Sequence, residues 1–236
     1  MFFFSNKLWT QLRDLMTPPR PAQSFSGRTL HVQTISDIRL KHRELVLTFD
    51  DGPIPRHTEA VLRALDDAGV KATFLMLGVQ ASRNPDLVRM VAARGHTIGS
   101  HTDHHHNLKE VDLQAARVDI DSGIENVDAP LRRSGFSIAP FFRFPFLLGT
   151  RQLRKELRGR KIVVLDADIT VGDSDVSLSP QRLYSQAVRR IVRRGSGIVL
   201  MHDIHARTAA ILPNLLADLK ARGFVIVHIV PAGVNS

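Results

Sequence analysis

From Glu44 onward the chain alternates short apolar runs with amphipathic stretches. The runs "ELVLTFD", "KATFLML", "HTIGSH", "FFRFP", "KIVVLDAD", "GIVLMHD" and "FVIVHIV" read as strands. Between them lie helical patterns: "HTEAVLRALDDAG" closed by Gly69, "NPDLVRMVAARG" opened by Asn84 and Pro85, "LKEVDLQAARVDIDSGIENV", "TRQLRKELRG", "SPQRLYSQAVRRIVRRG", and "ARTAAILPNLLADLKARG", where Pro213 is expected to kink or restart the helix. Strands alternating with helices predict parallel pairing with right-handed crossovers. The count suits an α/β architecture, a distorted or incomplete (β/α) barrel of about seven parallel strands, better than a six-strand open sheet. A chain of 236 residues, 43% of them hydrophobic, is long enough for one main core.

Before Glu44 the pattern is different. Phe2, Phe3, Phe4, Leu8, Trp9, Leu12, Leu15 and Met16 fit one side of a short amphipathic helix, and Pro18, Pro19 and Pro21 predict a linker. Residues 1–43 are therefore expected to form an extension and linker, and residues 44–236 the barrel domain. No stretch here has the longer apolar segment of a signal peptide or the about 20 apolar residues of a membrane span. Localisation is left open.

Composition narrows the chemistry. Cysteine is absent, so any metal must be held by histidine and carboxylate. The formal charge of +9 favours acidic partners, an anionic glycan among them. The arginine clusters "RKELRGRK" and "RRIVRRG" lack the aromatic interleaving of a base-stacking platform, so nucleic acid is not an expected partner. A monomer is expected.

Polar residues interrupt the apolar runs at one end. Asp50 and Asp51 follow the first strand and His101 the third; Arg143 lies in the fourth, while Asp168 ends the fifth and His202 the sixth. In a parallel barrel those C-terminal ends converge on the face where active sites are built. Adjacent strand residues point to opposite sides, so Asp50 and Asp51 need not share a role. His101 and His105, four residues apart, would stand on one face of a helical turn with Cβ atoms about 5 to 6 Å apart, as two ligands of one ion require. A polar histidine-rich loop is the alternative. His104 and His106 are expected to face solvent.

"TFDDGP", "SHTDHHHNL", "RFPF", "DAD" and "LMHD" occur in the order of the five motifs of the polysaccharide deacetylases, the NodB-homology or family-four carbohydrate esterases, which the chain resembles from about Glu44 to Val230. The resemblance implies a distorted (β/α) barrel that removes N-acetyl groups from N-acetylglucosamine-containing polymers with one divalent metal, commonly zinc, cobalt or another first-row ion being an alternative. It implies Asp51, His101 and His105 as metal ligands and Asp50 as general base. It further implies Arg143 as the arginine holding that base, the backbone N–H of Phe146 as an oxyanion donor, and His202 as general acid oriented by Asp168. The chain departs from the pattern after the fourth motif, where "DADITVGDSDVSL" has Asp173 and Asp175 but no tryptophan to wall the sugar site. Two other readings stay open: a small-molecule cyclic amide or ureide hydrolase of the same superfamily, and a non-catalytic wall-binding protein.

Overall fold

The computed structural model describes residues 24–233. The expected N-terminal amphipathic helix and the proline linker at Pro18 to Pro21 lie outside them. In chain order the elements are β1 (Ser26–Val32), β2 (Glu44–Asp50), α1 (His57–Ala68), β3 (Thr73–Met76), α2 (Gly78–Arg83), α3 (Pro85–Ala93), β4 (Thr97–Ser100), α4 (Leu113–Arg132), β5 (Phe141–Phe142), α5 (Arg151–Gly159), β6 (Val163–Val164), β7 (Ile169–Thr170), α6 (Pro180–Arg194), β8 (Gly197–His202), α7 (Ala206–Ala221) and β9 (Val225–Pro231).

All strand pairs are parallel. The barrel wall runs β7-β8-β2-β3-β4-β5-β6 and stays unclosed, because β6 and β7 do not pair. Seven strands make this wall, as the alternation predicts, but two memberships differ. The run "KIVVLDAD" is not one strand: pairing stops at Val164, the chain bends through Leu165 to Asp168, and β7 starts at Ile169. β9 meets β2 only at Glu44 and Leu45 and then continues beside β1. β1 lies within the stretch expected to be linker, yet its register with β9 runs from Ser26 to Val32 and Phe25 is buried in the main core. Its alternating, mostly exposed pattern carries few apolar residues, which hid it.

Alternation along the strands sorts the wall into two faces. Val46, Leu75, Phe141, Val163, Leu165 and Ile198 share an interior cluster, whereas Leu45, Leu47 and Phe49 pack against helix residues such as Val61, Leu62, Leu212 and Leu216. Side chains cap the helices as propensity predicts: Asp112 accepts from Ala115 N–H, Thr150 from Leu153 N–H and Ser179 from Arg182 N–H. Pro213 does not restart α7. Leu212, Leu215, Leu216 and Leu219 bury one face, which holds the helix across the missing backbone donor.

Phe25 tests whether the sheet begins before Glu44. Phe25→Ala is expected to lower unfolding stability by about 3–5 kcal/mol, read from the urea midpoint. A variant that unfolds with the parent would place Phe25 outside the cooperative core.

Candidate active site

The inward positions of β2 are Val46, Thr48 and Asp50, so the face that is apolar at its base becomes polar toward its C-terminal end. The same alternation carries Leu200 and His202 from β8, and His101 and Arg143 just beyond β4 and β5, into one cleft. Its volume is about 550 Å³, and Asp50, Asp51, His101, His105, Arg143, Phe146 and His202 all line it.

Asp51 leaves the strand with a left-handed backbone, φ 76°. Its Oδ1 therefore swings to 3.5 Å from His101 Nε2 and 3.5 Å from His105 Nε2. Among the described residues this trio alone offers three potential ligand atoms within 4.8 Å of one another. The fit to a cation is close, since tetrahedral bonds of about 2.0–2.1 Å separate ligand atoms by about 3.4 Å. Asp51 Oδ1 is also buried with no hydrogen-bond partner, a costly state for a carboxylate oxygen unless a cation meets it. His101 Nδ1 bonds the carbonyl of Arg143 at 2.8 Å, which leaves its Nε2 lone pair facing the trio. Burial pushes the His105 imidazole below its ordinary pKa, with neighbouring His101 adding to the effect.

The two histidines do not meet on a helical turn. Residues 101–106 form a loop with left-handed backbones at Thr102 and His105, and the rings approach to 4.9 Å. α4 anchors this loop: Asp103 N–H donates to Asp119 O, His104 N–H to Asp119 Oδ1, and Gly123 lies so close beneath Thr102 that a Cβ there would overlap its backbone. His104 and His106 face Asp103 and Asp119 and are half-exposed or more, away from the trio.

Asp50 and Asp51 part because Asp50 ends β2 facing inward whereas Asp51 has left the strand with its left-handed backbone, so both reach one cleft by different routes. Asp50 stays inside the barrel, where Arg143 Nη1 donates to its Oδ1 at 2.7 Å and to Thr48 Oγ1 at 2.8 Å. Arg143 Nε donates to Leu165 O at 2.8 Å, and the residue is 0% exposed. The guanidinium is thus aimed by three acceptors on two elements.

His202 has a carboxylate partner, but it is Asp173. Asp173 Oδ1 lies 2.9 Å from His202 Nδ1, while its Oδ2 accepts from His202 N–H at 2.7 Å and from Thr208 Oγ1 at 2.8 Å. The expectation for Asp168 is corrected: it sits at the start of β7, on the opposite end of the barrel, where it accepts from Ile198 N–H and pairs with Arg194. Reading "KIVVLDAD" as one strand put Asp168 at a C-terminal end. The true strand end is Thr170, and Asp173 shortly after it repeats the strand-then-carboxylate signal of Asp50. Asp166 pairs with Arg154 and Asp175 with Ser177, both outside the cleft. Burial opposes charge on both members of the His202–Asp173 pair, yet their mutual bond prevails: His202 is raised to about 9 and Asp173 held below the usual carboxylate range. With Nδ1–H on Asp173, His202 Nε2 faces the cleft, 3.9 Å from Asp51 Oδ2.

Phe146 turns at the rim with φ 57°, its ring 4.6 Å from that of His105 and 60% exposed, so the cleft opens there to solvent. Leu147, Leu200, Ile204 and His205 complete apolar and aromatic walls. Asp203, unmarked in the sequence reading, is buried beneath the Asp50–Asp51 turn, where burial pushes it up to about 7.

The family profile described as polysaccharide deacetylase matches residues 37–162. The peptidoglycan-N-acetylglucosamine deacetylase PgdA of Listeria monocytogenes is 32% identical over 188 residues, 80% of this chain and 38% of that protein. The chain thus spans well under half the length of that relative. A chitin deacetylase of Colletotrichum lindemuthianum is 30% identical over 197 residues, covering 78% of this chain and 77% of that one. The solved structure of the Bdellovibrio bacteriovorus peptidoglycan deacetylase Bd3279 superposes with a TM-score of 0.75 at 31% identity, covering 89% of this chain and 57% of that one. No helix among the described residues is long and apolar enough to cross a membrane. A profile over half the chain, joined to the strand-end constellation, fixes the assignment: the chain belongs to the polysaccharide deacetylase family.

Proposed function

We propose that the chain is a hydrolase of carbon–nitrogen bonds that removes N-acetyl groups from N-acetylglucosamine-containing polysaccharide, releasing acetate and leaving the free amine. The observation that carries this is the convergence, in one cleft, of the Asp51–His101–His105 trio with two differently supported proton-transfer groups, Asp50 on Arg143 and His202 on Asp173. A cleft open at Phe146 suits a polymer better than a closed small-molecule pocket, and relatives named for peptidoglycan and chitin support the same class. The basic excess of the chain favours an anionic wall polymer.

Asp51, His101 and His105 would hold one divalent ion, zinc first or cobalt. Bound there, it supplies Lewis acidity toward the acyl oxygen and lowers the pKa of the attacking water. The remaining work belongs to side chains. Asp50, kept in place by the Arg143 guanidinium, takes the proton of the water. The Phe146 N–H at the rim donates to the developing oxyanion. His202 delivers the Nε2 proton to the leaving amine, and Asp173 keeps that imidazole charged and oriented.

Acetate release from chitooligosaccharide or peptidoglycan fragments is expected to stop with chelator and to return with Zn2+ or Co2+. A protein that binds these glycans but frees no acetate under either condition would favour the wall-binding alternative. Asp50→Asn is expected to retain the ion while kcat falls by about 10²–10⁴-fold, with metal content measured alongside the rate. The pH profile carries the sign of the His202 shift: the acid must be protonated, so the rate falls as pH rises through about 9. Asp173→Asn removes the carboxylate that raises that value, so the alkaline limb should move to lower pH; an unmoved limb would take the acid role from His202.

A further inference from the structure

Asp203 follows His202 but turns from the cleft toward the segment joining β2 to α1. Its Oδ1 accepts from Gly52 N–H at 3.1 Å and its Oδ2 from the Thr58 hydroxyl at 2.5 Å, and Thr58 Oγ1 in turn accepts from Ile54 N–H at 2.8 Å. The residue is 1% exposed. Its carboxylate also fills the space beside Gly52: a Cβ built there overlaps both oxygens and the carboxyl carbon. Gly52 is not among the glycines with positive φ. What position 52 requires is clearance for Asp203.

The turn is held from its other side by β3, where Asp51 N–H donates to Leu75 O at 3.3 Å and Leu77 N–H to Gly52 O at 3.1 Å. Within this clamp the backbone of Asp51 takes the left-handed conformation that a β-branched or ordinary residue seldom adopts unaided. That conformation sends neighbouring carboxylates to different tasks.

We propose that Asp203 is a positioning residue, interlocked with Gly52, that fixes the backbone of Asp51 so that its carboxylate meets His101 and His105 while Asp50 remains on Arg143. This inference rests on the metal-site reading above. It also explains a dependence between distant motifs: the glycine after the two aspartates and the aspartate after His202 occupy one volume, so each constrains the other.

The test is Zn2+ titration by calorimetry on the full chain, joined to amide hydrogen exchange at Asp51 and Gly52. Asp203→Ala and Gly52→Ala should each weaken Zn2+ binding by about 10- to 100-fold, as loss of a ligand-orienting partner does, and the double variant should be no weaker than the poorer single. Thr58→Val, a milder cut in the same network, should show a smaller loss, and Asp203→Asn, which keeps the shape and one acceptor oxygen, should recover most of the affinity. Folded Asp203→Ala with parental affinity, or single effects that multiply in the double variant, overturns the proposal. If the parent binds no Zn2+, the metal reading fails, and the exchange data still decide the clamp: protection at both amides should fall in Asp203→Ala, and unchanged protection sinks it.

Discussion

The site depends on keeping a charged pair dry at the floor of an open cleft. Arg143 has no exposed surface and Asp50 almost none, so each charge relies on the other and on the fixed dipoles around it. Such a pair is weak evidence for stability, since desolvation offsets most of the Coulomb gain. Its consequence is geometric. Thr48 Oγ1, Leu165 O and Asp50 Oδ1 divide the guanidinium donors among β2 and the segment after β6, and Arg143 O receives His101. One buried arginine thereby sets the place of a proposed base with its side chain and of a proposed ligand with its backbone.

The supports of the two proposed proton-transfer groups are unlike. Asp50 accepts a charge-assisted hydrogen bond from the Arg143 guanidinium, which fixes where its carboxylate stands. His202 faces Asp173, whose two oxygens also take the His202 and Thr208 donors, which favours the imidazolium as donor. The two supports differ in kind, a cation beside the carboxylate and a carboxylate beside the imidazole. Register joins them: Asp50 and His202 are paired positions of β2 and β8, so no loop intervenes between them.

Much of this was legible in the chain because period-2 strands ending in polar residues need no long-range information. Asp50, Asp51, His101, Arg143 and His202 arrive together for that reason, whereas His105 joins them from a loop held by α4 and not from the expected helical turn. What failed failed locally. "KIVVLDAD" has the composition of one strand, yet the open seam between β6 and β7 gives Leu165 to Asp168 no continuous neighbour, and the chain bends. The carboxylate beside His202 is consequently Asp173. β1 was missed because an edge strand with one buried side shows too few apolar residues, and α2 because six residues carry too little periodicity. Asp203 was invisible because its partner is a backbone amide of a turn fixed only in the fold, a contact no spacing encodes.

Charge distribution separates the chain's basic character from its chemistry. The cleft holds three carboxylates, Asp50, Asp51 and Asp173, against one guanidinium and the His202 imidazole. The surplus of arginine and lysine lies elsewhere: Arg151, Lys155 and Arg158 are exposed on α5, and Arg182 and Arg193 on α6. The exposed helical shell therefore carries the positive charge, while three carboxylates line the cleft. A strongly basic protein can in this way keep an acidic cleft, and where the fourth motif lacks a tryptophan Phe146, Leu147 and His205 are among the residues that wall it.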